Sequence, residues 1–128
     1  MQIVEQVERV LAAHPELEVV VLFGSTALGR ERSDSDVDIA VMAGRPLGVE
    51  EKVNLIGDIA DATGRAVDLV DLRVAGEPLL GQILTHGRRL RGSSSAYAEL
   101  LRRHVFDAED FMPYVQRLLA QRRQAWIG

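Results

Sequence analysis

The chain has 128 residues, 47% of them hydrophobic, and no cysteine, so it can bury one core and cannot form disulfides or thiolate metal sites. Its N-terminal MQIVEQVERVLAAH is charged throughout, which excludes a secretion signal, and no apolar run is long enough to span a membrane; a reducing cytoplasm is the expected compartment. A net charge of −4 weighs against a general nucleic-acid binder, although the signs are segregated, with 14 acidic and 6 basic side chains in residues 1–72 and 5 acidic and 9 basic in 73–128. The basic second half reads first as a mixed surface and second as a seat for a phosphate or an acidic partner.

Ile3, Val4, Val7, Val10 and Leu11 recur at helical spacing, and His14-Pro15 ends that helix because the residue before proline is pushed out of the helical region. His14 itself is expected to face water or the last carbonyls. Leu17 to Phe23 is a nearly continuous apolar run, the pattern of a strand buried on both faces. After Gly24, Ser25 is placed to cap a short helix through about Leu28 that Gly29 ends. Asp36 to Met42 alternates acidic with apolar and predicts a second strand. Gly44-Arg45-Pro46 is a turn. Val49, Val53, Ile56, Ile59 and Ala60 mark a helix closed by Gly64, and Ala66 to Leu72 a third strand.

A short helix over 77–86 opens near Pro78, and Arg88 to Arg91 reads as a final edge strand. Gly92-Ser93-Ser94-Ser95 has the composition of a hinge. Beyond it the pattern predicts one helix over about 96–103 and a longer one over about 107–124. The order indicates an α+β fold, a small mixed sheet with helices packed on it. Residues 1–92 are expected to form the functional core. Residues 93–128 are expected to form a helical extension that either joins the same domain or offers a partner surface. Phe111, Met112, Tyr114 and Trp126 beside Arg117, Arg122 and Arg123 have interface-like composition. A helix packed on its own sheet accounts for them equally well.

Asp34, Asp36 and Asp38 alternate, so on a strand reaching that far they share one face. Like charges side by side repel unless something positive joins them, and hard carboxylate oxygens suit Mg²⁺, which leaves other positions to water and phosphates. A calcium loop starting at Asp34 fails, since it would need Gly where Ile39 stands and Glu where Arg45 stands. A solvated edge strand is the plain alternative. Two neighbours weigh against it. Gly24-Ser25 lies between a buried strand and a helix, where backbone N–H groups can cradle an anion. Asp68, in AVDLVDL, points away from Val67 and Leu69 and can complete a two-metal site that holds the attacking and leaving oxygens of an in-line displacement. Asp71 would point to the opposite face and cap a turn.

The remaining candidates point to no chemistry. His86 and His104 lack metal-ligand spacing and read as structural. Ser93 to Ser95 lack the strand–elbow–helix setting of a hydrolase nucleophile, and no Gly-Lys-Ser/Thr follows any glycine as a P-loop requires.

Gly24-Ser25 followed by Ser35-Asp36-Val37-Asp38 resembles the signature of the DNA polymerase β-like nucleotidyltransferases. The stretch GSTALGRERSDSDVDIAV, with Ala27, Gly29 and Ser35 also matching, is similar to the minimal nucleotidyltransferase (MNT) branch. Val67-Asp68-Leu69-Val70 matches the strand that carries the family's third acidic residue. Position 28, often basic or aromatic in the branch, is Leu here, and Arg30 or Arg32 would have to supply any phosphate contact from that loop.

The resemblance covers roughly residues 1–91 and implies that Asp36, Asp38 and Asp68 are catalytic and bind two Mg²⁺ ions that grip the triphosphate of ATP. Gly24, Ser25, Ser35 and Arg30 would bind the nucleotide. A hydroxyl whose deprotonation Asp68 favours attacks the α-phosphorus, and pyrophosphate leaves. Small MNT proteins pair with a HEPN-domain ribonuclease toxin as its antitoxin, which implies AMP transfer to a tyrosine of that partner. Neither direct nucleic-acid binding nor membrane association is expected. Two alternatives stand: a catalytically silent MNT subunit that neutralises its partner by contact, and a small-molecule nucleotidyltransferase like the aminoglycoside-modifying enzymes.

Overall fold

The computed structural model describes residues 2–27 and 35–127. Its elements are α1 (Ile3–Leu11), β1 (Leu17–Leu22), the single-turn α2 (Gly24–Ala27), β2 (Val37–Ala43), α3 (Val49–Thr63), β3 (Val67–Asp71), α4 (Leu79–His86), β4 (Arg88–Arg91) and α5 (Ser94–Ile127). The strands form one mixed sheet of four in the order β3-β2-β1-β4. β1 runs antiparallel to both β2 and β4, whereas β2 and β3 are parallel, the arrangement that the α3 crossover permits.

β1 is buried except at Glu18 because it has strands on both sides and helices on both faces. Val20 and Leu22 share a core with Ile3, Val7 and Leu11 of α1 and with Leu55 and Ile59 of α3. Val19 and Val21 face the other way, onto Leu80, Ile83 and Leu84 of α4 and Leu100 of α5. Leu17 breaks the alternation by joining the first core. The cause is a register shift between Leu17 and Val19, since one extra residue in a strand inverts which side chains face each side.

Several expectations are corrected. α3 turns Leu55 and Ile59 inward, while Val49 and Val53 are 79% and 61% exposed. The sheet and α1 lie against the Leu55–Ile59 side, which the helical period alone does not select. The two C-terminal helices are one, α5, which starts inside the expected serine linker and continues through Pro113. No glycine or proline interrupts 104–106, so nothing there ends a helix. Among the described residues, α5 packs on the sheet through Ala96, Tyr97 and Leu100 of its first turns.

His14 does not face water. Its ring bonds Asp58 on α3 (2.9 Å) and Glu16 (3.1 Å), joining the end of α1 to α3. Beside it the Arg91 guanidinium donates to the carbonyls of Leu11, His14 and Leu17 at 2.7–3.1 Å, tying edge strand β4 to the same corner.

Candidate active site

Asp38 and Asp68 are register partners in the parallel β2–β3 pair. Val37, Ile39, Val67 and Leu69 point into the core under α1 and α3. Alternation therefore places Asp38 and Asp68 together on the opposite face, the one that carries α4 and α5. Asp36 is exposed and immediately precedes β2, which begins at Val37. The alternation argument for a shared strand face thus does not reach Asp36, and Asp34 lies outside the described residues.

The β1–α2 turn lies directly against Asp38. Gly24 has φ +61°, and a Cβ there would lie 2.5 Å from Asp38 Oδ2. Only glycine combines that backbone with that approach. The Phe23 N–H donates to the Asp38 carbonyl at 3.0 Å, continuing the β1–β2 ladder into the turn. Ser25 is half-buried inside α2, since Gly24 rather than Ser25 opens that turn. Ser35 is half-buried next to Asp36. Arg30, Gly29 and Arg32 lie outside the described residues.

Thr26 is the residue the sequence reading passed over. It is buried, its hydroxyl accepts from the Asp38 N–H at 3.3 Å, and it reaches the Asp36 carbonyl at 3.4 Å. One side chain thus fixes the backbone on both sides of Val37. A threonine between Gly-Ser and the acidic strand was the signal available, but nothing local distinguishes a staple from a solvent-facing hydroxyl.

The Asp38 carboxyl is held above the usual carboxylate range, first by burial and then by the charges of Asp68 and Asp36. Among the described residues no Lys, Arg or His forms an ion pair with these three carboxylates. No three acidic or imidazole side chains there already converge at metal-ligand spacing. The donor set still fits a hard divalent cation: carboxylate oxygens on one face, mutual repulsion that a cation would relieve, and a glycine that leaves Asp38 Oδ2 uncovered.

Asp71 plays no part in this cluster. It is buried on the opposite face and accepts from the Leu47 and Arg73 N–H groups, both at 2.9 Å, as a turn-forming residue does. His104 bonds Glu77 at 2.6 Å. His86, which read as structural, is exposed and lines a cleft beside Gly24 together with Gln82, another residue that sequence reasoning did not single out.

The family model "Polymerase beta, Nucleotidyltransferase" matches residues 5–96. The chain is 40% identical over 79 residues to the protein adenylyltransferase MntA of Shewanella oneidensis, an alignment spanning 62% of this chain and 57% of that relative. It superposes with TM-score 0.81 on a chain of a toxin–antitoxin crystal structure with AMP-PNP, at 28% identity, covering 92% of this chain and 96% of that one. A second similar structure is the tri-AMPylated Shewanella oneidensis HEPN toxin in complex with MNT antitoxin, with TM-score 0.77 and 28% identity, covering 94% of this chain and 98% of that one.

Proposed function

The chain belongs to the polymerase β nucleotidyltransferase family, and from that premise we propose that it is a Mg²⁺-dependent adenylyltransferase that transfers AMP from ATP to a tyrosine of a HEPN toxin and so acts as its antitoxin. The observation that carries this reading is the contact of Gly24 with Asp38 beside the Asp38–Asp68 pair. It brings an anion-seating turn and two carboxylates to one point on the sheet. The likeness to MntA and to antitoxin complexes containing AMP-PNP or an AMPylated toxin supports the nucleotide and the protein acceptor.

Gly24 and Ser25 seat the β- and γ-phosphates, with Ser35 and Arg30 as further phosphate contacts. Asp36, Asp38 and Asp68 would hold Mg²⁺, which when bound would supply positive charge against the triphosphate and the α-phosphoryl group. Asp68, exposed on edge strand β3, lies nearest the open side and draws the proton from the acceptor hydroxyl. The acceptor oxygen bonds to the α-phosphorus as the bond to the bridging oxygen of pyrophosphate breaks. Thr26 holds the Asp36–Asp38 backbone still, and positioning is most of what the protein contributes to such a reaction.

Residues 1–92 form the catalytic core and 93–128 the helical extension that meets the partner. Leu101, Val105, Phe106, Leu118 and Leu119 of α5 are exposed and available to it. Among the described residues no helix is long and apolar enough to cross a membrane.

The test is intact mass of the HEPN partner after incubation with the protein, ATP and Mg²⁺. A mass gain in whole AMP units, mapped to tyrosine and absent with D36N/D38N, is expected. An unmodified partner overturns the catalytic reading. Neutralisation that survives in D36N/D38N would transfer the antitoxin role to binding alone.

A further inference from the structure

β3 forms one edge of the sheet, and its backbone on the outer side is open. The Val37 N–H donates to the Ala66 carbonyl and the Leu72 N–H to the Val41 carbonyl, both at 2.8 Å. In a parallel pair these two bonds fix the phase of the ladder. Residues 66, 68, 70 and 72 turn their peptide groups to β2, and 67, 69 and 71 turn theirs outward. The Asp71 carbonyl is taken by the N–H groups of Val74 and Ala75 at 3.1 and 3.0 Å. Val67 and Leu69 are left with N–H and C=O groups that no other described residue bonds. They flank Asp68 on either side.

The sequence of β3 carries none of the usual protections of an edge, which are lysine, proline, a bulge or a covering segment. VDLVD has neither lysine nor proline, and its pairing with β2 runs without a register shift. The opposite edge, β4, carries three arginines and a register shift against β1. Leu69 and Val70 stay half-buried, whereas Ile39 and Ala40, their partners in β2, are fully buried. A strand added outside β3 would take more of that apolar surface from water.

We propose that the acceptor segment of the protein substrate adds to this edge as a fifth strand, antiparallel to β3, with its tyrosine directly opposite Asp68. The inference rests on the reading of the chain as a protein adenylyltransferase and states how the acceptor is held. In antiparallel pairing the residues before and after the tyrosine exchange both hydrogen bonds with Leu69 and Val67. The tyrosine then takes the non-hydrogen-bonded position between them. There Cα atoms approach to about 4.5 Å, and both side chains leave the sheet on one face. That face is the one that carries Asp38 and Asp68.

Direction agrees with this placement. An in-line displacement needs the attacking and leaving oxygens on opposite sides of the α-phosphorus. Gly24 follows β1 and meets Asp38 from that side, so pyrophosphate leaves toward β1 and the acceptor enters from β3. Charge sets the flanks of the segment. Residues 36–72 hold 8 acidic and 3 basic side chains, and 5 acidic ones remain when Asp36, Asp38 and Asp68 are assigned to metal. The segment that fits is extended, apolar next to the tyrosine and basic beyond it.

The test gives the full wild-type chain ATP, Mg²⁺ and the capped peptide Arg-Thr-Val-Tyr-Val-Thr-Arg, alongside the whole HEPN partner. N-methylation of either valine is expected to raise the peptide KM by roughly fivefold or more, because each valine amide bonds the edge. N-methylation of the tyrosine amide, which faces away, is expected to change KM by less than about twofold. Val67→Pro removes one outward donor at the first residue of a strand, where proline is tolerated. It is expected to raise the KM for the whole partner by roughly fivefold and to leave the Kd of ATP unchanged. Val67→Ile, which keeps the donor, is expected to match wild type. Equal KM for all three methylated peptides would overturn strand addition, as would a peptide that neither accepts AMP nor competes with the partner. A folded Val67→Pro protein with the wild-type KM would overturn it too. So would a wild-type dimer in sedimentation that Val67→Pro dissolves, since a second copy would then hold the edge. Transfer to the whole partner beside a flat peptide series leaves the adenylyltransferase reading standing without this inference. No transfer to the partner removes both.

Discussion

Gly24→Ala isolates the contact on which the candidate site depends. Two costs act there. A side chain at φ +61° pays the left-handed penalty, about 1–2 kcal/mol. The new Cβ also meets Asp38 Oδ2 at 2.5 Å, so the carboxylate must retreat by roughly 1 Å to reach ordinary contact distance. Gly64→Ala separates the two effects, because Gly64 has φ +68° with nothing within 4 Å of its Cβ position. Both variants should lose about 1–2 kcal/mol from the backbone, or roughly 3–10 °C in Tm for a domain of this size. Gly24→Ala alone should also lose AMP transfer, by about a hundredfold, the cost of a ~1 Å misplacement at a reacting centre. The assays are thermal denaturation and initial rates of AMP transfer to the partner. Wild-type transfer by a folded Gly24→Ala protein would refute the role assigned to this contact, as would an equal loss of transfer in Gly64→Ala.

Asp38 carries a raised pKa, so its ionised form costs the folded state stability that returns as pH falls through that value. Asp38→Asn should therefore melt at or above wild type at pH 7 in EDTA, while transfer falls by about a hundredfold or more; a markedly lower Tm would contradict the repulsion. His14 is held above its ordinary value of 6.5: burial pulls it down, but its bonds to Asp58 and Glu16 outweigh that. Its stabilisation is complete below pH 6.5 and is lost as pH rises through the higher folded value. Denaturant titrations from pH 5.5 to 8.5 should show that decline in wild type and a flatter profile in His14→Ala. Arg91→Met keeps the aliphatic stem and removes three donors to the α1 corner. It should cost about 2–3 kcal/mol in urea denaturation, with the discount that partial exposure imposes on charged hydrogen bonds, and leave transfer intact.

Much of the fold was legible because short-range patterns fixed it. The apolar run of β1, the alternation through Asp36 to Met42 and the Val-Asp-Leu-Val of β3 each named a strand, and in β3 also the face of Asp68. The edge position of Arg88–Arg91 followed from its short, charged sequence, and the observed bounds agree. Where the reading failed, the deciding contact was remote. Val49 and Val53 fit a helical face as well as Leu55 and Ile59 do, and only the position of α1 and the sheet chose between them. His14 looked like a solvated helix end until α3 brought Asp58 to it, 44 residues away in sequence. The break expected near residue 104 of α5 had no breaker residue behind it.

The sequence by itself determined which residue types are present for phosphate and metal chemistry and that Asp68 and Asp71 face opposite ways, because alternation is a property of one strand. Only the tertiary structure decided that Asp38 lies opposite Asp68, that Gly24 touches Asp38, that Thr26 binds the backbone between the acidic residues, and that α4 closes a cleft against the β1–α2 turn. The reason is physical. Periodicity is set by the backbone geometry of a few neighbouring residues, whereas register and close approach are set by pairing between segments far apart in the chain. A single bulge in β1 is enough to invert which side chains face each layer.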